Sequence, residues 1–363
     1  MCASRSAPLL RRRVNGVLLL DKPVGLSSNA ALQQAKRRFR AEKAGHTGTL
    51  DPLASGLLPI CFGEATKFAH MLLDADKTYA ATVRLGATTT TGDAEGEVSQ
   101  TRDVAVTRKE IEAVLPRFIG RITQIPPRYA ALKFQGRNYY EYAREGIEIP
   151  RPGREVVVRS LTLDGWTPPD LCLTIRCGKG TYVRALAEDI GSALGCGAHL
   201  AALRRIETGG LRLSASCTLE TLAALSDEEC DARLLLPDTL VAPLPRIDLE
   251  ASEALRFAQG QALTRAELPD ATYRVYAADG FAGIALAIDG TLRPRRLTAA
   301  ARATRRGAPR EAWGSTGNCE SKPAADNSTV DSSQSVTEAA AGSNAAFNGI
   351  PVPAGSDVES LES

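Results

Sequence analysis

Apolar and polar positions follow two different periods along roughly the first 300 residues. Short apolar runs bounded by turn residues are typical of buried strands, and apolar side chains three or four positions apart are typical of amphipathic helices. Strands are therefore predicted at residues 14–20, 57–62, 78–85, 156–163, 171–177 and 203–206. Helices are predicted at residues 28–40, 65–73, 181–194 and 218–225, and another begins at Thr107, which forms a capping box with Glu110.

The pattern changes after the proline-rich stretch at residues 237–245. A short helix is predicted at residues 250–260, followed by strands at residues 273–276, 283–288 and 292–297, with turns at Asp279-Gly280 and Asp289-Gly290. Together these elements predict a small barrel-like β module at residues 246–300. Beyond residue 301 the chain is rich in Ala, Ser, Gly and Asn and has little apolar content, so we expect disorder there.

The order of these elements favours one fold class. Strands occur both with and without helices between them, which favours an α+β fold over a doubly wound one. We expect a mixed or antiparallel sheet flanked by helices, with the small β module after it. The predicted organisation is a basic arm at residues 1–13, a large domain at residues 14–245, the β module at residues 246–300 and a disordered tail at residues 301–363.

Charge is distributed unevenly along the chain. The formal net charge is +2, but from residue 311 onward there are eight acidic residues and one basic residue, Lys322. Residues 1–310 therefore hold 43 basic and 34 acidic side chains. A basic body suits a polyanionic partner such as RNA, because each neutralised phosphate releases counterions. Solubility alone would account for the same balance, so both interpretations stay open.

The eight cysteines are scattered without a C-x-x-C pair, and His46, His70 and His199 stand in no ligand pattern with them. We therefore expect reduced cysteines, no metal site and a cytoplasmic protein. The apolar run after the arginines at positions 11–13 is interrupted at Asp21, too early for a signal peptide. No stretch reaches the roughly 20 apolar residues of a membrane span, so no membrane association is expected.

Residues 124–153 mix cationic and aromatic side chains between prolines. Between Pro127 and Pro150 lie the cations Arg128, Lys133, Arg137 and Arg144, and the aromatic residues Tyr129, Phe134, Tyr139, Tyr140 and Tyr142. Proteins bind single-stranded RNA through phosphate contacts and base stacking on such side chains. A surface loop whose aromatic side chains pack underneath would have the same composition, so this pattern alone leaves both interpretations open.

Residues 45–56 contain three glycines and a proline, which indicates a tightly shaped backbone. Asp51 precedes Pro52, which biases Asp51 toward an extended conformation. This segment has no second carboxylate, no Ser/His/Asp set and no phosphate-loop string. Asp51 is therefore a candidate nucleophile or general base. An aspartate that only initiates a turn would have the same neighbours.

Residues 45–52, G-H-T-G-T-L-D-P, resemble the signature of the TruB family of tRNA pseudouridine synthases, in which this motif carries the catalytic aspartate. The resemblance extends over residues 14 to about 300, and several ordered motifs together are far more specific than one. The other motifs are N-G-V-L-L-L-D-K-P at 15–23, G-L-S-S at 25–28, P-I-C-F-G-E-A-T-K at 59–67, D-K-T-Y at 76–79, A-L-K-F-Q-G at 131–136, K-G-T-Y-V-R at 179–184 and G-C-G-A-H-L-A-A-L-R-R at 195–205.

This resemblance implies three catalytic residues. Asp51 would be the nucleophile, and Tyr79 would stack on the target base and serve in proton transfer from carbon 5 of uracil. Arg184 would pair with Asp51, and an opposite charge at that distance lowers a carboxyl pKa. From the pattern alone, Tyr79 would be a packing residue and Arg184 a solvated or ion-paired surface residue.

The resemblance also implies substrate contacts. His46 would contact the T-loop of tRNA, and Tyr182 and Leu203 would line the uracil pocket. Lys22 and Lys67 would help to hold a strand or a phosphate. From the pattern alone, His46 would be a capping or turn residue, and Leu203 would belong to the core.

The implied reaction converts the T-loop uridine at position 55 of tRNA into pseudouridine. It breaks a C–N bond, turns the uracil and forms a C–C bond, so the target base has to be flipped out of its stack and held in a closed pocket. Nothing is oxidised and no group is lost, so we expect no cofactor.

The resemblance further implies which partners the protein needs. Residues 124–153 resemble the T-arm-gripping insertion of stand-alone enzymes, so we expect a monomer that uses tRNA without a guide RNA or a protein partner. Residues 246–300 resemble a PUA-like module, which we expect to contact the acceptor side of tRNA. A guide-dependent synthase and a non-catalytic RNA-binding protein or tRNA folding chaperone are the alternatives.

Overall fold

The computed structural model describes residues 10–304. The strands of its larger part are β1 (Gly16–Lys22), β2 (Ala44–His46), β3 (Ala54–Phe62), β4 (Lys77–Leu85), β5 (Ala87–Thr89), β6 (Val98–Thr101), β7 (Gly120–Gln124), β8 (Lys133–Phe134), β9 (Arg137–Asn138), β10 (Arg154–Thr167), β11 (Asp170–Cys177), β12 (Ala198–Thr208) and β13 (Leu211–Arg212). The α-helices of this part are α1 (Ser28–Arg38), α2 (His70–Leu73), α3 (Arg108–Val114), α4 (Tyr139–Arg144), α5 (Val183–Ala193), α6 (Leu219–Ala224) and α7 (Asp227–Ala232). Short 3₁₀ helices span Gly63–Lys67, Leu115–Phe118, Leu213–Ala215 and Pro237–Val241.

Nine strands form one mixed sheet, which confirms the predicted α+β class. Its order is β1-β3-β12-β4-β11-β10-β7, with β2 paired to β3 and β13 paired to β12. β12 runs parallel to β3, and the other pairs in the sheet are antiparallel. Because β12 lies between β3 and β4, it brings the chain that follows Asp51 next to the strand that carries Tyr79.

Helices cover this sheet because its strands have apolar residues on both faces. Leu18 and Leu20 of β1 pack with Ala31 and Leu32 of α1, and all nine residues of β3 are buried. The Ser27 hydroxyl accepts a hydrogen bond from the Ala30 amide and caps α1. Helix α5 packs against β4 and β12, so its first turn is fixed beside the centre of the sheet.

A second sheet of five strands follows in the chain. Its strands are β14 (Arg246–Asp248), β15 (Leu263–Thr264), β16 (Ala271–Ala277), β17 (Gly280–Ile288) and β18 (Thr291–Leu297), in the order β14-β16-β17-β18-β15, with helices α8 (Ala251–Ala258) and α9 (Ala299–Thr304). Asp289 and Gly290 have positive φ angles and join β17 to β18, which confirms this predicted turn. Phe281 of β17 lies 5.1 Å from Phe68, ring centre to ring centre, so this sheet packs on the larger one.

Some predicted boundaries were wrong. The helix predicted at residues 28–40 ends at Arg38, and Arg40 has a positive φ angle. The helix predicted at residues 65–73 is divided into a 3₁₀ turn and the four-residue α2, with Phe68 and Ala69 between them. The capping box of Thr107 and Glu110 is confirmed at the start of α3.

The prediction of disorder falls mostly outside the described residues, because residues 305–363 are not among them, and neither are residues 1–9. Arg12, in the predicted basic arm, forms an ion pair with Asp231 at 2.5 Å. None of the helices within residues 10–304 has both the length and the apolar character needed to cross a membrane.

Candidate active site

Asp51 lies in the loop between β2 and β3, and the backbone on both sides of it is fixed. The Ser28 hydroxyl accepts a hydrogen bond from the Leu50 amide at 2.7 Å and donates one to the Leu50 carbonyl at 2.9 Å. Gly56 has a φ of +97°, and a Cβ there would lie 2.3 Å from the carbonyl oxygen of Arg205. Only glycine fits so close to the neighbouring strand, which explains this glycine of the motif.

Arg184 holds the carboxylate of Asp51. It lies in the first turn of α5, its side chain is 6% exposed, and its Nη2 is 2.9 Å from Oδ2 of Asp51. The same guanidinium donates to the carbonyl oxygens of Tyr129 at 2.8 Å and Thr91 at 3.3 Å. The rigid planar fork of an arginine can satisfy several acceptors at once, so one side chain fixes Asp51 relative to two loops.

A second carboxylate, Asp93, approaches Arg184 from a loop that the sequence analysis did not connect with Asp51. Oδ2 of Asp93 lies 3.5 Å from Nη1 of Arg184, and the Asp93 side chain is 4% exposed. Its Oδ1 accepts hydrogen bonds from the Thr91 hydroxyl at 2.5 Å and the Glu95 amide at 3.1 Å. A backbone bridge between Asp93 and Leu200 on β12 holds this loop against the sheet. The available sequence signal was a polar turn containing Gly92, which is too common to single out one residue.

The pKa of Asp51 is shifted in the direction opposite to the one expected. Pairing with Arg184 was expected to lower it, but burial raises the pKa of this carboxyl above its ordinary value. Arg184 and Lys22 lower the pKa and Asp93 raises it further, so the attraction of Arg184 offsets only part of the effect of burial. The side chain is 45% exposed, so one side of the carboxylate faces open space while protein surrounds the rest.

That open space is a cavity of about 260 Å³. Five residues that the resemblance singled out line it together: Asp51, Tyr79, Tyr182, Arg184 and Leu203. Leu203 also packs against the core on both sides of the sheet, so it is a core residue and a lining residue of the cavity at once. Burial raises the pKa of the phenols of Tyr79 and Tyr182, and both are therefore neutral hydrogen-bonding groups at pH 7.

Gln124 fixes Tyr182 at the edge of the cavity. The Gln124 side chain accepts a hydrogen bond from the backbone amide of Tyr182 at 3.0 Å and donates one to its carbonyl at 3.3 Å. Gln124 is 1% exposed and ends β7, where residues 124–153 begin. The segment with the basic and aromatic side chains is thus joined to the cavity at Gln124 and, through the Tyr129 carbonyl, at Arg184.

The cavity is lined by two further cations, which the sequence analysis did not single out. Arg205 is 1% exposed and donates to the carbonyl oxygens of Leu57 at 2.7 Å and Gly48 at 3.1 Å. Lys77 is 7% exposed, donates to two backbone carbonyls and has a pKa lowered by burial. The sequence signal for Arg205 was a pair of arginines inside a predicted strand, which did not show that one of them is buried.

Three of the predicted substrate contacts lie outside the cavity lining, and two of them are close to the Asp51 loop. His46 is on β2, and its pKa is lowered first by burial and then by Arg205. Its Nδ1 is buried and has no hydrogen-bond partner within the described residues. Lys22 is fully buried and donates to the carbonyl oxygens of Pro23 at 2.8 Å and Leu26 at 2.6 Å. Burial lowers its pKa to about 8, and this arrangement favours holding a strand over contacting a phosphate.

Lys67 connects the two sheets. Its Nζ lies 2.7 Å from Oε2 of Glu64 and donates to the carbonyl oxygen of Leu297, at the end of β18, at 3.0 Å. The side chain is 24% exposed, so part of its surface still faces solvent. The structure therefore places Lys67 at the contact between the sheets and not at Asp51.

In the segment at residues 124–153, charged side chains are exposed and some aromatic side chains are buried. Tyr139 and Tyr142 are buried, whereas Arg128, Lys133, Arg137 and Arg144 are exposed. Arg137 stacks over the Tyr142 ring with 4.7 Å between its Cζ and the ring centre, and Arg144 lies over the Tyr140 ring at 5.4 Å. Some aromatic residues thus pack underneath, as one interpretation of the sequence pattern expected, and the cations are exposed. RNA binding by this segment stays a prediction.

Comparisons with known proteins identify the family. Family models match three consecutive parts of the chain: the N-terminal domain of the TruB family of pseudouridylate synthases at residues 36–183, the C-terminal domain of tRNA pseudouridylate synthase B at residues 184–247, and the C-terminal region of pseudouridine synthase II TruB at residues 245–298. A tRNA pseudouridine synthase B of Burkholderia mallei is 56% identical over 297 residues, 80% of this chain and 98% of that protein. One of Cupriavidus metallidurans is 52% identical over 306 residues, 81% of this chain and 98% of that protein.

Solved structures show the same fold. The archaeal box H/ACA sRNP Nop10–Cbf5 complex contains a chain that is 25% identical, with a TM-score of 0.62 over 81% of this chain and 88% of that chain. A chain in a Cbf5–Nop10–Gar1 complex is 24% identical, with a TM-score of 0.61 over 78% of this chain and 84% of that one. The fold and the aspartate-containing cavity define a pseudouridine synthase.

The family follows from the three domain matches and the relatives. This chain belongs to the TruB family of pseudouridylate synthases. It is an RNA isomerase of tRNA pseudouridine synthesis, and the sheet at residues 246–297 lies in the family's C-terminal domain.

Proposed function

We propose that this enzyme isomerises the T-loop uridine at position 55 of tRNA, with Asp51 as the nucleophile. The observation that carries the proposal is the position of Asp51. Its carboxylate faces the cavity and is held at 2.9 Å by a buried arginine. A carboxylate needs no activating base to act as a nucleophile once it is ionised, and the ion pair with Arg184 favours the ionised form.

Arg184 also limits how Asp51 can move. Its bonds to Asp51, Asp93 and two backbone carbonyls leave the guanidinium little freedom, because it is 6% exposed. A nucleophile that is already aimed does not have to be ordered during the reaction, which lowers the barrier to the first step. We propose that Asp51 acts on the ribose–uracil unit while Arg184 keeps its second oxygen in place.

The rest of the cavity suits the detached base. Leu203 supplies an apolar surface, and the rings of Tyr79 and Tyr182 can stack on a planar base. Such a lining holds a freed uracil while it turns and keeps water from the reacting atoms. We propose that Tyr79 stacks on the target base and takes part in the removal of the proton from carbon 5.

The target base has to leave its stack to enter the cavity, which costs a few kcal/mol. We propose that phosphate contacts offset this cost. The first group is the exposed cations of residues 124–153, a segment that is joined to the cavity by the hydrogen bonds of Gln124 and Tyr129. The second group lies on the second sheet and consists of the exposed arginines of β18, Arg293, Arg295 and Arg296. We assign the first group to the T-arm and the second to the acceptor side of tRNA. Residues 246–300 would then be the PUA-like RNA-binding module and residues 14–245 the catalytic domain.

We also propose that the enzyme works as a monomer on tRNA without a guide RNA or protein partner. The support is residues 124–153, which carry exposed cations and whose Tyr129 carbonyl accepts a hydrogen bond from Arg184 of the cavity. The solved structures of similar fold are complexes with Nop10 and, in one of them, also with Gar1, and an enzyme that depends on partners is the alternative that the following experiment tests.

The test is incubation of the purified protein with an unmodified tRNA transcript, without guide RNA, cofactor or added metal, followed by mapping of pseudouridine at nucleotide resolution. Asp51→Asn is measured in parallel. The matched control is Asp170→Asn, because Asp170 also pairs with an arginine, Arg84, at 2.8 Å but lies outside the cavity.

We expect one modified T-loop uridine with the parent and with Asp170→Asn, and none with Asp51→Asn. Pseudouridine formed by Asp51→Asn at the parent's rate would contradict the assignment of the nucleophile. Tight tRNA binding without pseudouridine from the parent would favour a tRNA chaperone or an enzyme that needs a partner.

A further inference from the structure

Arg205 lies on β12, the strand between β3 and β4 of the larger sheet. On β12 it pairs with Gly56 of β3 on one side and with Tyr79 of β4 on the other. The register with β4 shifts directly after Arg205, between this residue and Glu207. A shift of this kind changes the direction in which side chains leave a strand, and here it accompanies a side chain that lines the cavity.

The guanidinium of Arg205 connects the nucleophile loop to Tyr79. Its Nε donates to the carbonyl oxygen of Leu57 at 2.7 Å, and its Nη2 donates to that of Gly48 at 3.1 Å. Arg205 is also the direct cross-strand neighbour of Tyr79, both side chains line the cavity, and the positive charge of Arg205 lowers the pKa of the Tyr79 phenol. Gly48 lies three residues before Asp51, so one buried side chain holds the loop of the nucleophile and acts on the aromatic residue of the neighbouring strand.

The neighbouring arginine on the same strand shows how unusual this arrangement is. Arg204 is 34% exposed and forms an ion pair with Asp21 at 2.6 Å. Arg205 is 1% exposed, and its hydrogen bonds within the described residues go to two carbonyls, neither of which carries a compensating charge. Burying a cation without a carboxylate is costly, and such an arrangement is typical of functional sites.

We propose that Arg205 is a positioning residue of the isomerisation, which holds the phenol of Tyr79 and the loop of Asp51 in register and stabilises the phenolate form of Tyr79. This inference rests on the proposed function.

The proton transfer that this arrangement serves takes place after the new C–C bond has formed. Tyr79, which is neutral in the free enzyme, first releases its phenolic proton to water. The C5–H bond of the uracil then breaks, and the phenolate oxygen of Tyr79 takes the proton, which restores the phenol. The electron pair of the C5–H bond forms the C5–C6 double bond, the π pair of the C6–N1 double bond moves to N1, and N1 takes the proton that the phenol released to water. The positive charge of Arg205 lowers the free energy of the phenolate that accepts the proton.

The charges around Tyr79 agree with this role. Burial raises the pKa of the Tyr79 phenol, the Cys177 thiol of β11 and the Asp51 carboxylate raise it further, and Arg205 acts in the opposite direction. Arg205 is therefore the group on the neighbouring strands that makes ionisation of Tyr79 easier.

The first test measures the ionisation of Tyr79 in the free enzyme. The full chain is labelled with difluorotyrosine, whose lower pKa brings the titration to milder pH, and Tyr79→Phe assigns the ¹⁹F resonance. We expect the apparent pKa of the labelled Tyr79 to rise by at least about one unit in Arg205→Met, and by less in Arg205→Lys, which keeps the charge but loses the fork. Arg204→Lys is the matched control and should leave this titration unchanged. If Tyr79 titrates in both Arg205 variants as in the parent, the proposal is wrong.

The second test is a double-mutant cycle on single-turnover pseudouridine formation at saturating tRNA. We expect Arg205→Lys to slow the parent at least about tenfold, with unchanged tRNA affinity and melting temperature. In a Tyr79→Phe background the same change should cost less than about threefold, because both substitutions remove one function. Equal losses in the two backgrounds would overturn the proposal. The ¹⁹F titration needs no turnover, so it still decides the inference if the parent forms no pseudouridine.

Discussion

The cavity around Asp51 and the segment at residues 124–153 use the same kinds of side chain in opposite ways. In the cavity, Arg184 is 6% exposed and lies between two carboxylates, Asp51 and Asp93. In the segment, Arg137 is 44% exposed, pairs with glutamates of its own helix region and stacks on a tyrosine ring. Burial, and not residue type, separates the two regions.

This difference determines what each region can contribute. Exposed ion pairs are worth roughly 0–1 kcal/mol and are screened by salt, so Arg137 can exchange its glutamate partners for phosphates at little cost. A buried pair is hardly screened, and its charges shift the pKa values of their neighbours. We therefore expect substitutions in the cavity to change the rate of the chemical step and substitutions in the segment to change tRNA affinity.

The largest effect on rate and stability is expected in the cavity, for Arg184→Met. The nucleophile loses its support and Asp93 stays buried without its cation, so kcat should fall about 10²–10³-fold and the free energy of unfolding by about 3–5 kcal/mol. The measurements are single-turnover rates and denaturant unfolding, with Arg84→Met as the control at the exposed Asp170 pair. A variant with the parent's rate would show that Asp51 does not depend on Arg184.

A smaller and more specific effect is expected for Asp93→Asn. Asp93 raises the pKa of Asp51, and the active form of Asp51 is the ionised one, so activity is lost as the pH falls through this pKa. Removing the charge of Asp93 should move the acid limb of the rate profile to lower pH, while the looser Arg184 lowers the maximum rate about tenfold. Single-turnover rates across the acid range test this. An acid limb that stays in place or moves to higher pH would contradict the electrostatic account.

The smallest effects are expected in the segment at residues 124–153. Arg137→Ala or Arg144→Ala should weaken tRNA binding a few-fold, and each should reduce the slope of log affinity against log salt concentration by about 0.7–0.9. The rate at saturating tRNA should not change. Arg108→Ala on α3, also exposed and paired with a glutamate, is the control. Unchanged salt slopes in both variants would show that these arginines do not contact phosphates.

Local signals in the sequence were sufficient for most of the fold. The capping box at Thr107 and the turn at Asp289-Gly290 form as predicted, because each depends on residues close together in the chain. The segment at residues 65–73 was predicted wrongly, since apolar spacing cannot show that Phe68 packs against Phe281 of a distant strand and that the helix is interrupted there.

The candidate site was predictable only in part, because contacts between distant parts of the chain leave no local pattern in the sequence. Asp51, Tyr79 and Arg184 could be named from motifs, and the structure brings them to one cavity. Asp93 and Arg205 were missed because their importance comes from contacts across the sheet, through Leu200 and Tyr79 respectively, that no local pattern encodes.

The central claim is that the carboxylate of Asp51 performs the chemistry while exposed cations provide the binding. It is tested most directly by measuring tRNA affinity and single-turnover pseudouridine formation for Asp51→Asn on the same preparation. We predict a dissociation constant within about threefold of the parent's and a rate at least about 10⁴-fold lower, because only the chemical step is removed. Loss of affinity in proportion to loss of rate, or turnover at the parent's rate, would contradict the account.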